Sequence, residues 1–448
     1  MFSKILIANR GEIALRIISA ARELGIKTVA VYSEPDKNSL HTMLADEEVC
    51  IGPAKSSESY LNIPSILSAA EITKADAIHP GYGFLAENPR FPEICETSGI
   101  AFIGPPASLM RLLGDKHRAR QEMKKLKLPV IPGSDKIIED ISEAKKDTQK
   151  IGFPVILKAA AGGGGKGMRI AHSIPQLEEY FPIAQKEAEA AFSNSSLYME
   201  KYFSKARHIE IQVIGDTKGN IVIFGERECS IQRKYQKILE ETPSPFIDEK
   251  LRKKIAKAVQ EAADHLGYQS LGTFEFLVDE QKRFYFMEAN TRVQVEHPIT
   301  EMIYGVDLVK EQIKVAAGEK LSFSPELKIR GHSIECRINA EDAETFVPFP
   351  GKIDFLVFPG GEGIRVDSAA YCGWQIPPDY DSLVAKIIAM APSRQMAIKK
   401  MLTALEMTTI VGIKTNIPLH LSILSNSLFK KGNYDIQFME GFLEKGKK

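Results

Sequence analysis

Residues 272–298 carry two runs of alternating polar and apolar side chains around a short polar segment, which is the pattern of a β-hairpin. We predict that residues 280–283 form the loop, so that Phe284 pairs with Asp279 across the two strands. This segment constrains the fold most strongly, because a period of two decides which side chains share a face and which meet across the strands.

Two glutamates face each other in the predicted hairpin. Counting from the loop places Glu288 opposite Glu275, and directly opposed residues hold their Cβ atoms about 4.5–5.5 Å apart. Two carboxylates at that distance repel, so a compensating cation is expected between them. Mg²⁺ characteristically binds one or two carboxylates together with phosphate oxygens. The hairpin therefore predicts a divalent metal site, with Asn290 two residues further along on the same face.

The polar positions of this alternation continue to residue 296. In order they are an acid, an amide, a guanidinium, an amide and an acid: Glu288, Asn290, Arg292, Gln294 and Glu296. A solvated strand face is the alternative interpretation, and it predicts a loose mixture of Lys, Glu and Thr. The observed order favours a metal beside a bound anion. His297, just before Pro298, is interpreted as structural.

A glycine run follows an apolar strand that ends at Lys158. The run Gly162–Gly165 precedes Lys166, Gly167 and a second predicted strand. This is not a Walker A loop, which needs Ser or Thr after its lysine and a helix behind it. A flexible surface turn is one interpretation. Lys158 favours the other, in which glycine N–H groups surround a phosphate.

Two further polar segments lie in the middle of the chain. Residues 207–213 alternate, with His208, Glu210 and Gln212 on one face; taken alone, this pattern indicates an ordinary half-exposed strand. Residues 229–237 are polar and basic, which fits either an exposed loop or a binding site for an anionic substrate.

The first third of the chain alternates strands and helices. We predict a helix over residues 12–25 and strands at Lys4–Ala8, Thr28–Tyr32, Ala75–His79 and Ala101–Ile103. Such spacing indicates a parallel, doubly wound sheet. The segment Asn9–Gly11 lacks the G-x-G-x-x-G pattern, so a nicotinamide cofactor is not supported.

The sequence pattern changes after the first third of the chain, and residues 115–330 are predicted to form strands and hairpins. Helices are predicted near residues 249–266, 305–317 and 394–407. We find neither an internal repeat nor a low-complexity linker, so tightly packed domains are expected.

Composition narrows the function classes. The 448 residues include 58 Lys+Arg and 58 Asp+Glu, a balance that disfavours a nucleic-acid binder. Five scattered cysteines without a C-x-x-C pair indicate reduced, buried thiols rather than zinc or disulfides. No apolar run is long enough to span a bilayer. The N-terminus reaches Arg10 and Glu12 too early for a signal peptide, so we expect a cytoplasmic protein.

Short motifs along nearly the whole chain resemble those of biotin carboxylase, the ATP-grasp subunit of acetyl-CoA carboxylase and related biotin-dependent carboxylases. In the first third they are Ile7–Ala14, His79–Phe84 and Gly114–Lys116. Further on they are Lys158 with the glycine run, Tyr198–Lys201, Gly272–Phe276, Glu288–Thr300 and Glu335–Asp342. Each motif is weak alone, but their order and span make coincidence implausible.

The resemblance implies an α/β and α+β multidomain fold. Its parts would be a doubly wound N-terminal domain at 1–114, an ATP-grasp domain at 115–330 and a mixed α/β C-terminal domain at 331–448. The implied reaction carboxylates biotin at the expense of ATP and bicarbonate, with Mg²⁺ or Mn²⁺, two ions in all. Bicarbonate would attack the γ-phosphoryl group to give carboxyphosphate, which then releases CO₂ beside biotin.

The resemblance also implies residue roles. The nucleotide would contact Lys116, Lys158, Gly164, Gly165, Glu200, Lys201, Tyr202, Phe203, His208, Gln232, Tyr235, Leu277 and Ile436. The metal would be held by Glu275, Glu288 and Asn290, in agreement with the hairpin. Bicarbonate would be bound by Lys237, Arg292, Gln294, the Val295 backbone and Glu296, with Glu296 as its general base. Biotin would meet Tyr82 and Arg337, and Arg337 would stabilise its enolate.

Partners follow from the same resemblance. The chain contains no Met-Lys-Met tripeptide, so the biotin carboxyl carrier protein and the carboxyltransferase subunits are expected to be separate chains. A homodimer is expected, with neither nucleic acid nor membrane as a partner. Acetyl-CoA carboxylase, in fatty acid synthesis, is the first interpretation of the complete enzyme, and pyruvate or propionyl-CoA carboxylase is the alternative.

Three positions depart from the family pattern. Tyr235 stands where His is expected, Ala289 where Met is usual and Asp379 where an aromatic residue is usual. Two other functions stay open. Another ATP-grasp ligase, such as a carbamoyl-phosphate synthetase-like enzyme, would not need Arg292–Glu296 together with Arg337 and Tyr82. A non-catalytic nucleotide-binding subunit would be expected to have lost its paired glutamates or lysines.

Overall fold

The structure is a computed structural model and describes residues 1–134, 136–159, 168–192, 194–323 and 327–445. The predicted nucleotide contacts Gly164 and Gly165 lie outside the described residues. Helices and sheets are both present, and the mixed α/β multidomain class is confirmed. Among the described residues, no helix has the length and apolar character needed to cross a membrane.

The N-terminal region is built on a five-stranded parallel sheet with strand order β3-β2-β1-β4-β5. Its strands are β1 (Lys4–Ile7), β2 (Lys27–Ser33), β3 (Glu47–Gly52), β4 (Ala77–His79) and β5 (Ala101–Phe102). Its helices are α1 (Gly11–Glu23), α2 (Leu40–Leu44), α3 (Ile63–Thr73), α4 (Arg90–Thr97) and α5 (Ala107–Gly114). The predicted doubly wound pattern is confirmed, and β1 and β4 meet where the strand order reverses, a place that favours ligand sites.

The loops after β1 and β4 are locked together at this reversal. The Asn9 side-chain amide donates to the backbone carbonyls of Pro80 and Tyr82, each at 2.7 Å. Gly81 has a φ of +63°, and a Cβ there would come within 2.8 Å of the Asn9 amide nitrogen. A side chain at position 81 would therefore displace the loop that carries Tyr82.

A small antiparallel sheet in the order β7-β6-β8 opens the central region. Its strands are β6 (Val155–Ala159), β7 (Arg169–Ala171) and β8 (Leu197–Lys201). The helices nearby are α6 (Lys116–Lys125), α7 (Ile141–Ile151) and α8 (Ile174–Phe192). The strand predicted after the glycine run is confirmed as β7.

An eight-stranded antiparallel sheet forms the centre of the molecule, with strand order β13-β12-β9-β10-β11-β14-β17-β16. Its first five strands in sequence are β9 (Ala206–Gly215), β10 (Ile221–Arg233), β11 (Gln236–Thr242), β12 (Ser270–Asp279) and β13 (Phe284–Asn290). The later ones are β14 (His332–Asn339), β16 (Ile364–Ser368) and β17 (Leu383–Ala391). Because β11 pairs directly with β14, the predicted division near residue 330 separates two halves of one sheet.

Helices and a small two-stranded sheet complete the fold. The helices are α9 (Glu249–Leu266), α10 (His297–Tyr304), α11 (Leu308–Ala316), α12 (Arg394–Met407), α13 (Ile417–Ser425), α14 (Ser427–Lys430) and α15 (Phe438–Lys445). The small sheet pairs β15 (Phe355–Val357) with β18 (Thr409–Val411). Helix α9 begins where the Asp248 carboxylate accepts from the Leu251 amide and ends at Gly267, whose positive φ stops it.

The predicted register of the hairpin is wrong near its loop and correct at the glutamates. Phe284 pairs with Val278, not with Asp279. A bulge then inserts one extra residue in β13, so that Glu288 still lies opposite Glu275. The counting argument reached the right pair because the extra residue in β13 offsets the loop, which is one residue longer than predicted.

Three other sequence interpretations need correction. Strand β9 is buried along its whole length rather than half-exposed. Strand β13 ends at Asn290, so the polar positions up to Glu296 lie in a loop that enters α10. Cys50 and Cys372 are exposed, whereas the other three cysteines are buried as expected and all five are free thiols.

A fully buried carboxylate links β11 to the C-terminal helices. Glu241 accepts hydrogen bonds from His332 at 2.6 Å, from Arg394 at 2.6 and 2.9 Å and from Tyr434 at 2.5 Å. Burial would raise the pKa of Glu241, but His332 and Arg394 outweigh it and lower the pKa to about 2. The ionised carboxylate therefore stabilises the junction between the two halves of the sheet.

We predict that Glu241→Gln lowers the free energy of unfolding by about 3–5 kcal/mol, because Arg394 is then left buried without an anion. Since the folded-state pKa lies below the ordinary value of 4.5, this stabilisation is present at neutral pH and is lost as the pH falls from about 5 towards 2. Thermal unfolding at pH 7 and pH 4 measures both effects. Glu249→Gln, at an exposed carboxylate on α9, is the control and should change little. Equal losses in both variants would contradict the prediction.

Candidate functional site

Lys237 lies at the centre of a polar layer on one face of the large sheet. Its ammonium is 2.8 Å from Glu296 and 3.3 Å from Glu275, and it also contacts Glu210. Strand pairing brings two of these acids together, because Glu275 of β12 lies directly opposite Glu210 of β9. All three carboxylates are buried. One cation therefore holds three acids from different segments in one place.

Glu296 is held on both sides by cations. Its Oε1 contacts Lys237 at 2.8 Å, and its Oε2 accepts from Arg337 Nη2 at 2.8 Å. Arg337 is itself oriented by Glu240, whose Oε1 accepts from its Nε at 2.7 Å. Burial would raise the pKa of Glu296, but Lys237 and Arg337 outweigh it and hold the pKa well below the ordinary value. Glu296 is therefore ionised at neutral pH and can accept a hydrogen bond or a proton.

A second buried cation lies beneath this layer. Arg227 donates to Glu210 at 3.1 and 3.2 Å, to Gln212 at 2.7 Å, to Thr273 at 3.1 Å and to Thr300 at 3.2 Å. This explains why the polar face of β9 is buried, since each of its side chains has a partner. Burial and the neighbouring Glu296 nevertheless raise the pKa of Glu210 to about 8, so the layer holds more acid than its cations neutralise.

The loop before α10 presents its polar groups beside Lys237. Arg292 donates to Gln294 at 3.1 Å and to Glu87 of the N-terminal region at 2.6 Å. The Gln294 amide donates to Glu275 at 3.1 Å. The Val295 carbonyl accepts from Lys386 at 2.9 Å. Of the five residues predicted to bind an anion, Arg292 and Gln294 therefore form one hydrogen-bonded unit with Glu275, whereas the Val295 carbonyl is held by Lys386.

The predicted metal ligands are partly assembled. Glu275 accepts from the Asn290 amide at 2.6 Å and from His208 at 2.9 Å. Glu288 instead contacts the Lys116 ammonium at 2.6 Å. Two carboxylates and an amide oxygen are the hard donors that Mg²⁺ prefers. The residues present therefore fit a magnesium ion, with Lys116 positioned to pair with an anion once Glu288 is engaged.

Other acid clusters in the described residues have the spacing of a metal site. His208, Glu210 and Glu275 place one ligand atom each within 4.8 Å of one another, as do Glu210, Cys229 and Glu296. Both clusters are fully buried and already contact Lys237 or Arg227. We therefore interpret them as parts of the ion-pair layer.

Three of the predicted nucleotide residues lie on the small sheet: Lys158 on β6, and Glu200 and Lys201 on β8. Lys158 at the end of β6 is 2.5 Å from Glu200 of β8. Lys201 donates to the backbone carbonyls of Phe153 at 2.6 Å and Gly152 at 3.2 Å. These contacts hold the end of β8 against β6.

Other predicted nucleotide residues lie between β8 and β9, on β12 and near the C-terminal end of the described chain. The rings of Phe203 and Tyr285 lie 5.0 Å apart. Leu277 pairs with His208 across β12 and β9, and the Ile436 amide donates to the Ala206 carbonyl at 3.0 Å. The C-terminal segment therefore reaches back to the site, where Gln437 also donates to the Tyr202 hydroxyl at 3.3 Å.

Tyr235, which stands where the family pattern has His, lies in the turn between β10 and β11. Lys234 and Tyr235 both have positive φ and form a two-residue loop, since Arg233 pairs with Gln236. Tyr235 is 56% exposed. Gln232, just before the turn, lies 2.5 Å from His208 Nδ1. Of the other departures, Ala289 is buried in the core and Asp379 is exposed.

Tyr82 lies on the N-terminal side of the site. Its hydroxyl contacts the Glu12 carboxylate at the start of α1. The second oxygen of Glu12 is 3.1 Å from Lys386. The structure therefore connects Tyr82 to the loop before α10 through two residues that the sequence reasoning did not select.

Sequence reasoning missed five charged residues of the site: Glu12, Arg227, Glu240, Glu335 and Lys386. A signal existed for Lys386, which is a single charge in the apolar run 383–391. Glu335 is buried, and neither of its oxygens has a hydrogen-bond partner among the described residues; burial raises its pKa well above the ordinary value. Pairing across β11 and β14 explains its position opposite Glu240, which no local pattern reveals.

Three family models match the chain. Residues 1–110 match "Biotin carboxylase, N-terminal domain" and residues 335–441 match "Biotin carboxylase C-terminal domain". Residues 115–324 match "Carbamoyl-phosphate synthase L chain, ATP binding domain". The middle region alone would fit the ATP-grasp alternative, so the flanking regions distinguish the two.

Individual relatives cover almost the entire chain. The biotin carboxylase of Haemophilus influenzae is 54% identical over 98% of each chain. A crystal structure of a biotin carboxylase–β,γ-ATP complex from Campylobacter jejuni is 50% identical, covers 98% of this chain and 99% of its own, and superposes with a TM-score of 0.96. The biotin carboxylase domain dimer of Hydrogenobacter thermophilus 2-oxoglutarate carboxylase, with MgADP, ADP and bicarbonate, is 48% identical, covers 98% of both chains and has a TM-score of 0.95. The chain belongs to the biotin carboxylase family.

Proposed function

We propose that the chain carries out the first half-reaction of acetyl-CoA carboxylase, with the residues predicted from sequence acting as its site. The general activity, ATP-dependent carboxylation of biotin, follows from membership of the biotin carboxylase family. The observation that supports the site most strongly is Glu296, an ionised carboxylate held between Lys237 and Arg337. A base between two cations suits a small anion such as bicarbonate, which must both bind and lose a proton.

ATP would bind between the small sheet and β12. Phe203, Leu277 and Ile436 would contact the base, with Glu200, Lys201 and Tyr202 presenting the end of β8 to it. Lys116 and Lys158 would face the phosphates, where positioned cations offset charge on the transferring group. Each lysine now contacts a carboxylate, so phosphate would take over an existing ion pair.

Glu275, Glu288 and Asn290 would hold Mg²⁺ or Mn²⁺. When bound, the metal neutralises charge on the phosphate oxygens. His208 would keep the second oxygen of Glu275 in place through their 2.9 Å contact, with Gln232 fixing the other side of the imidazole ring.

Bicarbonate would lie beside Lys237, Arg292, Gln294 and the Val295 backbone. Glu296 would accept its proton as it attacks the γ-phosphoryl group. With ADP released, carboxyphosphate would break into CO₂ and phosphate, and the phosphate would take the proton from the biotin ureido nitrogen, which then attacks CO₂. Arg337 would be released towards biotin, where its guanidinium would stabilise the negative charge that deprotonation places on the ureido oxygen. Tyr82 would approach biotin from the N-terminal region.

Biotin would be presented by a separate carrier protein, and carboxyltransferase subunits would use the product. A homodimer is proposed, supported by the dimeric relative from Hydrogenobacter thermophilus. That relative belongs to a 2-oxoglutarate carboxylase, which shows that similar chains serve different final acceptors. Pyruvate or propionyl-CoA is therefore the second candidate acceptor here, and the partner subunit would choose it.

We expect ADP release that depends on bicarbonate and is stimulated by free biotin in the presence of Mg²⁺. Glu288→Gln should lower kcat by about 100-fold or more, because one metal ligand loses its charge. The matched control is Glu280→Gln, an exposed glutamate in the loop of the same hairpin, which should keep full activity. Wild-type turnover that ignored both bicarbonate and biotin would contradict the substrate assignment.

Glu296→Gln tests the general base. We expect kcat/KM for bicarbonate to fall by about 10²–10⁴-fold, the range for a positioned acid–base group, while ATP affinity stays unchanged. Because the pKa of Glu296 is held well below its ordinary value, its carboxylate is ionised throughout pH 6–8, and wild-type kcat/KM should show no loss from its protonation there. Nucleotide titration and initial rates across that pH range measure both quantities. Full activity of the glutamine variant would exclude Glu296 as the base.

A further inference from the structure

Lys386 is a charged residue within the apolar strand β17, and its side chain is 0% exposed. A buried ammonium is unfavourable unless it is paired and hydrogen-bonded. Its Nζ donates to the Val295 carbonyl at 2.9 Å and lies 3.1 Å from Glu12 Oε2 and 3.7 Å from Asp367. These partners come from three different parts of the chain.

The Glu12 contact is the specific one. Asp367 is already held by Arg365 through two hydrogen bonds of 2.7 and 2.8 Å. Glu12 is buried at the first turn of α1, and within the described part of the chain its contacting cation is Lys386. Lys386 and Glu12 therefore compensate each other's charge at the junction of the N-terminal region and the large sheet.

The contact between Lys386 and the Val295 carbonyl positions the backbone of Glu296, the proposed general base. The Val295 carbonyl belongs to the peptide that joins Val295 to Glu296, and a peptide is a rigid plane. Holding that oxygen fixes the direction in which the chain enters Glu296. Lys237 and Arg337 orient the carboxylate of Glu296, whereas Lys386 orients its backbone.

Glu12 also links Lys386 to Tyr82, the residue proposed to contact biotin. Glu12 Oε1 accepts from the Tyr82 hydroxyl, while Oε2 faces Lys386. A continuous line of contacts thus runs from Tyr82 through Glu12 and Lys386 to the Val295 carbonyl. Its two ends are the residues proposed above to meet biotin and bicarbonate.

We propose that Glu12 and Lys386 form a positioning pair that holds the biotin-side Tyr82 and the bicarbonate-side Val295–Glu296 peptide in one fixed arrangement. Neither residue touches a substrate. The pair couples the two substrate positions, an inference that rests on the proposed function of the site. ATP binds elsewhere in that proposal, so its binding is independent of the pair.

The test measures separate KM values for bicarbonate, free biotin and ATP in Lys386→Met. We expect the KM values for bicarbonate and biotin each to rise by about 10- to 100-fold, since small misplacements of reacting groups have effects of that size. The KM for ATP should stay unchanged. A purely structural role would not produce this split. Equal changes for all three substrates, or no change, would overturn the proposal.

Two further variants control for folding. Arg394→Met also removes a buried cation, the partner of Glu241, and should destabilise the chain without raising the KM for bicarbonate or biotin. Glu12→Gln combined with Lys386→Met removes both charges, so it leaves no unpaired acid and should fold while still raising both KM values. Failure of this balanced double variant to fold would also overturn the proposal, because the pair would then be a determinant of folding.

Amide hydrogen exchange without substrates separates this inference from the proposed function. Residues 291–299 should exchange faster in Lys386→Met than in Arg394→Met, whatever reaction the protein performs. Wild-type turnover that ignored bicarbonate and biotin would reject the proposed substrates but not the faster exchange. Equal exchange in the two variants would overturn the positioning pair, even in an active enzyme.

Discussion

The site depends on the contact between the Lys237 ammonium and the carboxylates of Glu210, Glu275 and Glu296. Lys237, together with Arg227 and Arg337, offsets the repulsion between these three buried acids, which strand pairing and the loop before α10 bring to one place. The same contact keeps Glu296 ionised and places it beside Glu275. Lys237 therefore contributes both to the stability of the site and to the proposed chemistry, in which it would also contact the anionic substrate.

The large sheet makes this arrangement possible because it passes without interruption from the central region into the C-terminal one. The pairing of β11 with β14 places Lys237 and Glu240 next to Arg337. The β9–β12 pair supplies Glu210 and Glu275 on the same face. Helix α10 then covers this face, with Glu296 at its N-terminal end. The site therefore lies at the boundary between the central and C-terminal regions. Glu12 of the N-terminal region contacts this boundary through Lys386 of β17.

Local patterns predicted the elements well where hydrophobic periodicity was strong, as in α9, α12 and four of the five strands of the parallel sheet, whereas β3 was missed. They failed where tertiary contacts decide burial. Strand β9 alternates like a half-exposed strand, yet Arg227 from the neighbouring strand and α10 bury its polar face. The residues after Asn290 continue the polar–apolar alternation in sequence, but they do not form a strand, because the chain there turns into α10.

By itself, the sequence determined the alternating strands and helices of the first third, the hairpin that carries Glu275 and Glu288, and the residues that match the biotin carboxylase pattern. Short-range rules suffice for these, since side-chain alternation and motif spacing are local properties of the chain. Only the tertiary structure decided that Glu240, Arg227, Glu12 and Lys386 belong to the site. Their roles arise from contacts between segments far apart in sequence, and buried charges are compensated through such contacts rather than through neighbours along the chain.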